Sequence, residues 1–126
     1  MNYIELRKRN LKSGTLIYAC AYSYTGTKEH RRFFSEPTLG ILSYTDKPYF
    51  KDTIDKADSQ VRYFIPYKKN SKDLSYDNLA FSKAVKLDAR YYAETEQECK
   101  EIYNALIQRN IDWHLSEIEI LKKNLI

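Results

Sequence analysis

The stretch Thr95 to Leu125, TEQECKEIYNALIQRNIDWHLSEIEILKKNL, decides the fold. Thr95-Glu96-Gln97-Glu98 reads as a capping box, in which the threonine oxygen accepts from the N3 amide and the glutamate reaches back. Cys99, Ile102, Tyr103, Leu106 and Ile107 then recur as one face of an α-helix. Ile111, Leu115, Ile118, Leu121 and Leu125 continue the pattern. No glycine or proline falls between positions 96 and 125, so one long helix fits; a break at Asn110 would give two. Thirty helical residues span about 45 Å. A domain of this size has a radius of gyration near 14 Å. Part of the apolar stripe would then lack a cover within its own chain, and two-fold packing against a second copy would supply one.

Upstream the period changes from helical to alternating. Residues 15–24, TLIYACAYSY, place Leu16, Tyr18, Cys20, Tyr22 and Tyr24 on one side and Ile17, Ala19 and Ala21 on the other. Both sides are largely apolar, which predicts a central strand. Thr25-Gly26-Thr27 signals a turn, and residues 31–35 and 39–44 read as two further strands separated by Pro37 and followed by Pro48. Residues 60–67 alternate, with Val61, Tyr63, Ile65 and Tyr67 against Arg62, Phe64 and Pro66. Residues 83–93 read as another strand, with Val85, Leu87, Ala89 and Tyr91 inward and Lys86, Asp88, Arg90 and Tyr92 outward. Residues 3–11 fit a short helix or an arm. Residues 45–59 and 68–78 are polar and turn-rich. The expectation is an α+β domain: a mostly antiparallel β-rich core over 1–94, then a helical tail over 95–126 that serves oligomerisation.

Composition bounds the rest. The chain has 126 residues, 30% charged and 43% apolar, which suits one globular domain. No window reaches the roughly 18 apolar residues of a membrane span, and the N-terminus has no signal-like apolar run. Two cysteines make no disulfide framework, which favours an intracellular, cytoplasmic setting. The net charge of +4 is uneven: residues 1–69 carry 13 Lys/Arg against 7 Asp/Glu. A basic front half favours anionic partners. Twelve tyrosines offer flat apolar faces with polar tips, useful in sheets and in stacking sites alike.

The chemistry is defined partly by exclusion. Asp52, Asp55 and Asp58 lack the spacing and glycine turn of a calcium loop. His114 and Glu117 sit at i and i+3 of the helix, but a metal needs further ligands. Cys20 and Cys99 fall on apolar faces with no base suggested nearby, as buried free cysteines do. With only Gly14, Gly26 and Gly40, neither a P-loop nor a dinucleotide fingerprint is present. A binding protein without cofactor or catalytic centre is expected. Any phosphate would be held by side chains. The candidates are Arg31 and Arg32 before Phe33-Phe34, Arg62, Phe81 with Lys83, Arg90 with Tyr92, and Tyr103 with Arg109. Guanidinium groups fork onto phosphate and aromatic rings stack on bases. Pairing of strands 60–67 and 85–93 would align Arg62, Lys86, Arg90 and Tyr92 on one face.

The segment Leu87 to Leu125, LDARYYAETEQECKEIYNALIQRNIDWHLSEIEILKKNL, preceded by a charged N-terminal segment and a β-core, resembles the small phage anti-Thoeris proteins. That resemblance implies an oligomeric, non-enzymatic sponge. Such a protein would sequester cyclic ADP-ribose-type signals, with cyclic oligonucleotides as further ligands, inside an infected bacterial cell. Two alternatives follow from the residues. One is a nucleic-acid-binding accessory protein using Arg7, Lys8, Arg9, Arg31, Arg32, Lys68 and Lys69. The other is an inhibitor that docks a host defence enzyme through its tyrosine-rich surface.

Overall fold

The computed structural model describes residues 1–24, 31–46 and 60–126. The expected turn at 25–27, His30, Pro48 and the three aspartates of 45–59 lie outside these residues. The chain is an α+β structure: among the described residues there are five antiparallel strands, a short N-terminal helix and one long C-terminal helix.

Helix α1 (Tyr3–Lys8) resolves the helix-or-arm alternative. Its capping box is complete. The Asn2 side chain accepts from the Glu5 amide at 2.9 Å, and the Glu5 carboxylate accepts from the Asn2 amide at 3.3 Å. The strands are β1 (Leu16–Tyr24), β2 (Arg32–Ser43), β3 (Tyr63–Pro66), β4 (Val85–Lys86) and β5 (Tyr91–Ala93), in the order β4-β3-β2-β1-β5. As its two apolar sides demanded, β1 is interior to the sheet.

Two strand expectations are corrected. Residues 31–35 and 39–44 form one strand, because Pro37 is absorbed by a bulge. Ala19 pairs with Thr38 and Ala21 with Ser35, so Cys20 alone opposes Glu36 and Pro37. Residues 83–93 form two strands, on opposite edges of the sheet. A 3-10 turn over Leu87–Ala89 separates them. In a flat sheet β4 and β5 would stand four strand spacings apart, about 19 Å. Two extended steps and a 3-10 turn cover only about 13 Å. The sheet therefore curls, and its concave side encloses the main core.

That core joins Leu6 of α1 with Ile17, Ala19, Leu42, Val61, Phe64, Leu87 and Tyr92. On the opposite face a second cluster collects Ile41, Ile65, Tyr67 and Leu79. A third joins Cys20 and Ala93 to Cys99 of the long helix. Residues on both sides of 60–67 are thus covered, Phe64 on one and Ile65 on the other.

Helix α2 (Glu96–Lys123) is one uninterrupted helix of 28 residues, about 42 Å long. The Thr95 hydroxyl accepts from the Glu98 amide at 3.2 Å, without the reciprocal glutamate bond. Asn110, the suspected break, is an anchor instead: Tyr22 of β1 donates its hydroxyl to Asn110 Oδ1 at 2.5 Å. Cys99, Ile102 and Tyr103 pack on the sheet, whereas Leu115, Ile118, Leu121 and Leu125 are exposed. Among the described residues no helix is long and apolar enough to cross a membrane.

Gly40 of β2 has no room for a side chain against β3. A methyl there would meet the Ile65 carbonyl oxygen and stand 2.6 Å from the Phe64 ring. Gly40→Ala should therefore destabilise the fold by about 1–3 kcal/mol, read as a lower denaturation midpoint at unchanged m-value.

Candidate anion-binding cleft

Three cations meet where α1 crosses the β3–β4 edge. Leu6 fixes the helix by inserting into the main core, which turns Tyr3 and Arg7 toward the sheet edge. Arg7 lies with its guanidinium 5.4 Å over the Tyr3 ring centre. Arg62 stands just before β3, held by its own backbone. Its amide donates to Ser43 and its carbonyl accepts from the Leu87 amide. Lys86 pairs in register with Tyr63. Together Tyr3, Arg7, Arg62, Tyr63, Lys86, Leu87 and Asp88 line a cleft of about 440 Å³, within the range of small-molecule sites.

The electrostatics of this cleft are unbalanced. Among the described residues the ion pairs are Arg9–Glu94 and Glu96–Lys100. Arg7, Arg62 and Lys86 are thus held by no salt bridge, although Asp88 shares their cleft. Three cations against one carboxylate leave a net positive hollow. Arginine forks match phosphate oxygens, and lysine adds a point charge. Asp88 can accept from sugar hydroxyls, and the two tyrosine rings offer stacking faces.

The residues expected from sequence do not gather at one place. Only Arg62 lines the basic cleft. Arg109 lies across the sheet, lining an aromatic hollow of about 310 Å³ with Tyr22, Ser23, Tyr24, Leu106, Asn110 and Trp113. Arg32 is near it, its guanidinium 4.5 Å over the Tyr24 ring. Arg31 is exposed just before β2. Arg90 stacks over Phe33 at 5.0 Å. Phe81 packs on the second core cluster, in the same 3-10 turn as the exposed Lys83. Tyr103 packs beside Cys99. The expected pairing of 60–67 with 85–93 forms as β3 with β4 and sets Lys86 beside Arg62, without Arg90 or Tyr92; Tyr3, Arg7 and Asp88 were not expected there, because only the fold brings residue 7 to residue 86. The signal available was the Tyr3–Arg7 spacing of one helical turn.

Tyr92 requires an outright correction. It was expected outward, on the face of Arg62, but it is fully buried. The 3-10 turn at Leu87–Ala89 breaks the alternation, so Tyr92 turns in, while Ala89 and Tyr91, expected inward, are exposed. Its hydroxyl donates to the Leu87 carbonyl at 2.7 Å and its ring meets Phe64 edge-on at 5.9 Å.

His114 is wedged between the Tyr24 and Trp113 rings at 5.5 and 4.9 Å, and its buried Nε2 has no hydrogen-bond partner. Among the described residues no three His, Cys, Asp or Glu side chains gather as metal ligands. Cys20 and Cys99 are free, adjacent and fully buried. The neighbouring Cys20 side chain and burial together push the Cys99 thiol up, away from the reactive thiolate.

Neither a family model, nor a curated protein, nor a solved structure matches this chain.

Burial raises the Tyr92 phenol well above its ordinary value of 10.0, and raises Tyr67 as well. Both must stay protonated in the fold, so their contribution is complete below pH 10 and is lost as pH rises beyond it. Thermal midpoints should therefore fall between pH 9 and pH 11, and Tyr92→Phe should flatten that fall. At neutral pH the same variant should cost about 1 kcal/mol. A thiol reagent should label neither cysteine until denaturant is added; rapid labelling of the folded protein would contradict the burial of both.

Proposed function

We propose that the protein is a non-catalytic trap for a small anionic nucleotide, held in the cleft of Arg7, Arg62 and Lys86. The observation that carries this reading is the convergence of three cations, free of ion pairs among the described residues, with Asp88 and two tyrosine rings around one hollow. Cations serve a diphosphate, the carboxylate serves ribose hydroxyls, and a ring serves the base. A bare phosphate site would have no use for the last two. The aromatic hollow at Arg109 has a single lining cation and is the weaker match for two phosphate charges.

The resemblance to anti-Thoeris sponges narrows the ligand to a cyclic ADP-ribose isomer, with cyclic oligonucleotides next. On this reading the protein would act in the cytoplasm of an infected bacterium. Sequestration needs affinity and stoichiometry alone, so neither a nucleophile nor a cofactor enters. Self-association through the exposed end of α2 belongs to the same reading. The nucleic-acid alternative draws on seven cations. Of these, Arg9 is paired with Glu94, which weakens it.

Calorimetry with cyclic ADP-ribose isomers should show saturable binding, and the nucleotide should be recovered unaltered after denaturation. Arg62→Ala and Lys86→Ala should each weaken binding about tenfold or more, the loss of a charge-assisted bond. Arg109→Ala should leave it unchanged. Absence of heat with every cyclic ADP-ribose isomer and cyclic oligonucleotide would end this proposal, and chemical turnover of the ligand would replace the trap with an enzyme.

A further inference from the structure

β1 and α2 pack tightly at the start of the helix, where Cys20 meets Cys99 and Tyr18, Ile102 and Tyr103 join them. Further along the two part, and Trp113 is 54% exposed. The hollow of about 310 Å³ lies in the wedge between them. Its walls follow from two periodicities. Tyr22 and Tyr24 stand two residues apart on a strand and so share a side. Leu106, Arg109, Asn110 and Trp113 fall within about 100° of one another around the helix.

The polar groups of this wedge ask for an acceptor. Tyr22 donates its hydroxyl to Asn110 Oδ1 at 2.5 Å, so the Asn110 amide nitrogen keeps both hydrogens to give. Arg109 is held by no salt bridge among the described residues. Asp112, one turn on, is engaged by Gln108 at 2.9 Å. Beside the hollow, between the Tyr24 and Trp113 rings, the buried Nε2 of His114 is also without a hydrogen-bond partner. Buried polar atoms are rarely left so.

Size and charge select the class of ligand. The volume stands at the lower end of the roughly 300–1,000 Å³ of small-molecule sites, room for one ring system with a short acidic arm. Three aromatic walls and Leu106 favour a flat apolar ring, met offset or edge-on. One guanidinium forks onto one carboxylate, whereas a phosphate monoester would bring a second charge. Arg32 covers the Tyr24 ring and does not line the hollow, so Arg109 is its single lining cation.

We propose that this hollow is a second ligand site, which takes a small aromatic monocarboxylate. Its ring rests against Tyr22, Tyr24 and Trp113, and its carboxylate accepts from Arg109 and the Asn110 amide nitrogen. The site shares no residue with the basic cleft on α1 and the β3–β4 edge. It does not depend on the nucleotide, so a failure of either reading leaves the other standing.

Trp113 is the single tryptophan of the chain, so its emission reports on this site alone. Titration with 3-phenylpropionate should change that emission saturably, with half-saturation below about 1 mM. The uncharged 3-phenylpropionamide should bind about tenfold more weakly, and Arg109→Gln should weaken the acid by the same factor. Because Arg109 is exposed, that variant should keep the thermal midpoint of the unaltered chain. Arg62→Ala should leave the titration unchanged, and adenosine monophosphate should affect Trp113 more weakly than the acid. No emission change up to about 10 mM acid, an equal response to acid and amide, or full binding by Arg109→Gln would each overturn the inference. Tighter, Arg109-dependent binding of adenosine monophosphate would overturn the carboxylate assignment.

Discussion

A tyrosine taken wholly out of water must find an acceptor for its hydroxyl, because an unpaired buried donor costs about 1–3 kcal/mol. Tyr92 meets that requirement with the Leu87 carbonyl, five residues back along its own chain. The bond closes the 3-10 turn between β4 and β5 and so fixes how the chain crosses the concave side of the sheet. Tyr92 also exchanges backbone hydrogen bonds with Met1, its amide donating to the Met1 carbonyl and its carbonyl accepting from the Met1 nitrogen. That exchange sets the start of α1. The cleft inherits its walls from both contacts: Leu87 and Asp88 from the turn, Tyr3 and Arg7 from the helix.

Periodicity made the helical tail legible, since a capped start and an unbroken apolar stripe leave little choice of structure. β1 was legible for a related reason, as two apolar sides require cover on both. The strand breaks were not. Pro37 reads locally as an interruption, and only pairing with β1 shows that one bulge at Cys20 accommodates it. The alternation of residues 83–93 reads locally as one strand. What overrides it is the need to reach the far edge of a curled sheet, a long-range demand with no local trace.

The candidate site shows the same division. The sequence displayed the right kinds of residue, arginines interleaved with aromatic rings, and Arg62 among them does line the basic cleft. Its companions Arg7 and Lys86 are 79 positions apart, and nothing in the spacing of either joins them. Several of the other clusters have local partners of their own: Arg90 covers Phe33 and Arg32 covers Tyr24. A cation held flat on a ring contributes modestly to stability, about 0.5–1 kcal/mol when exposed.

The bulge at Cys20 bears on solubility. Among the described residues, the first part of β2, from Arg32 to Thr38, pairs with β1 alone, and Phe33 and Phe34 are both exposed on it. A long, flat ribbon edge with exposed aromatics would be a template for chain-to-chain β-addition. Pro37 removes one donor from that edge, the bulge beside it twists the ribbon, and Glu36 places a charge on it. The irregularity that hid the strand from a sequence reading thus acts as a gatekeeper against aggregation.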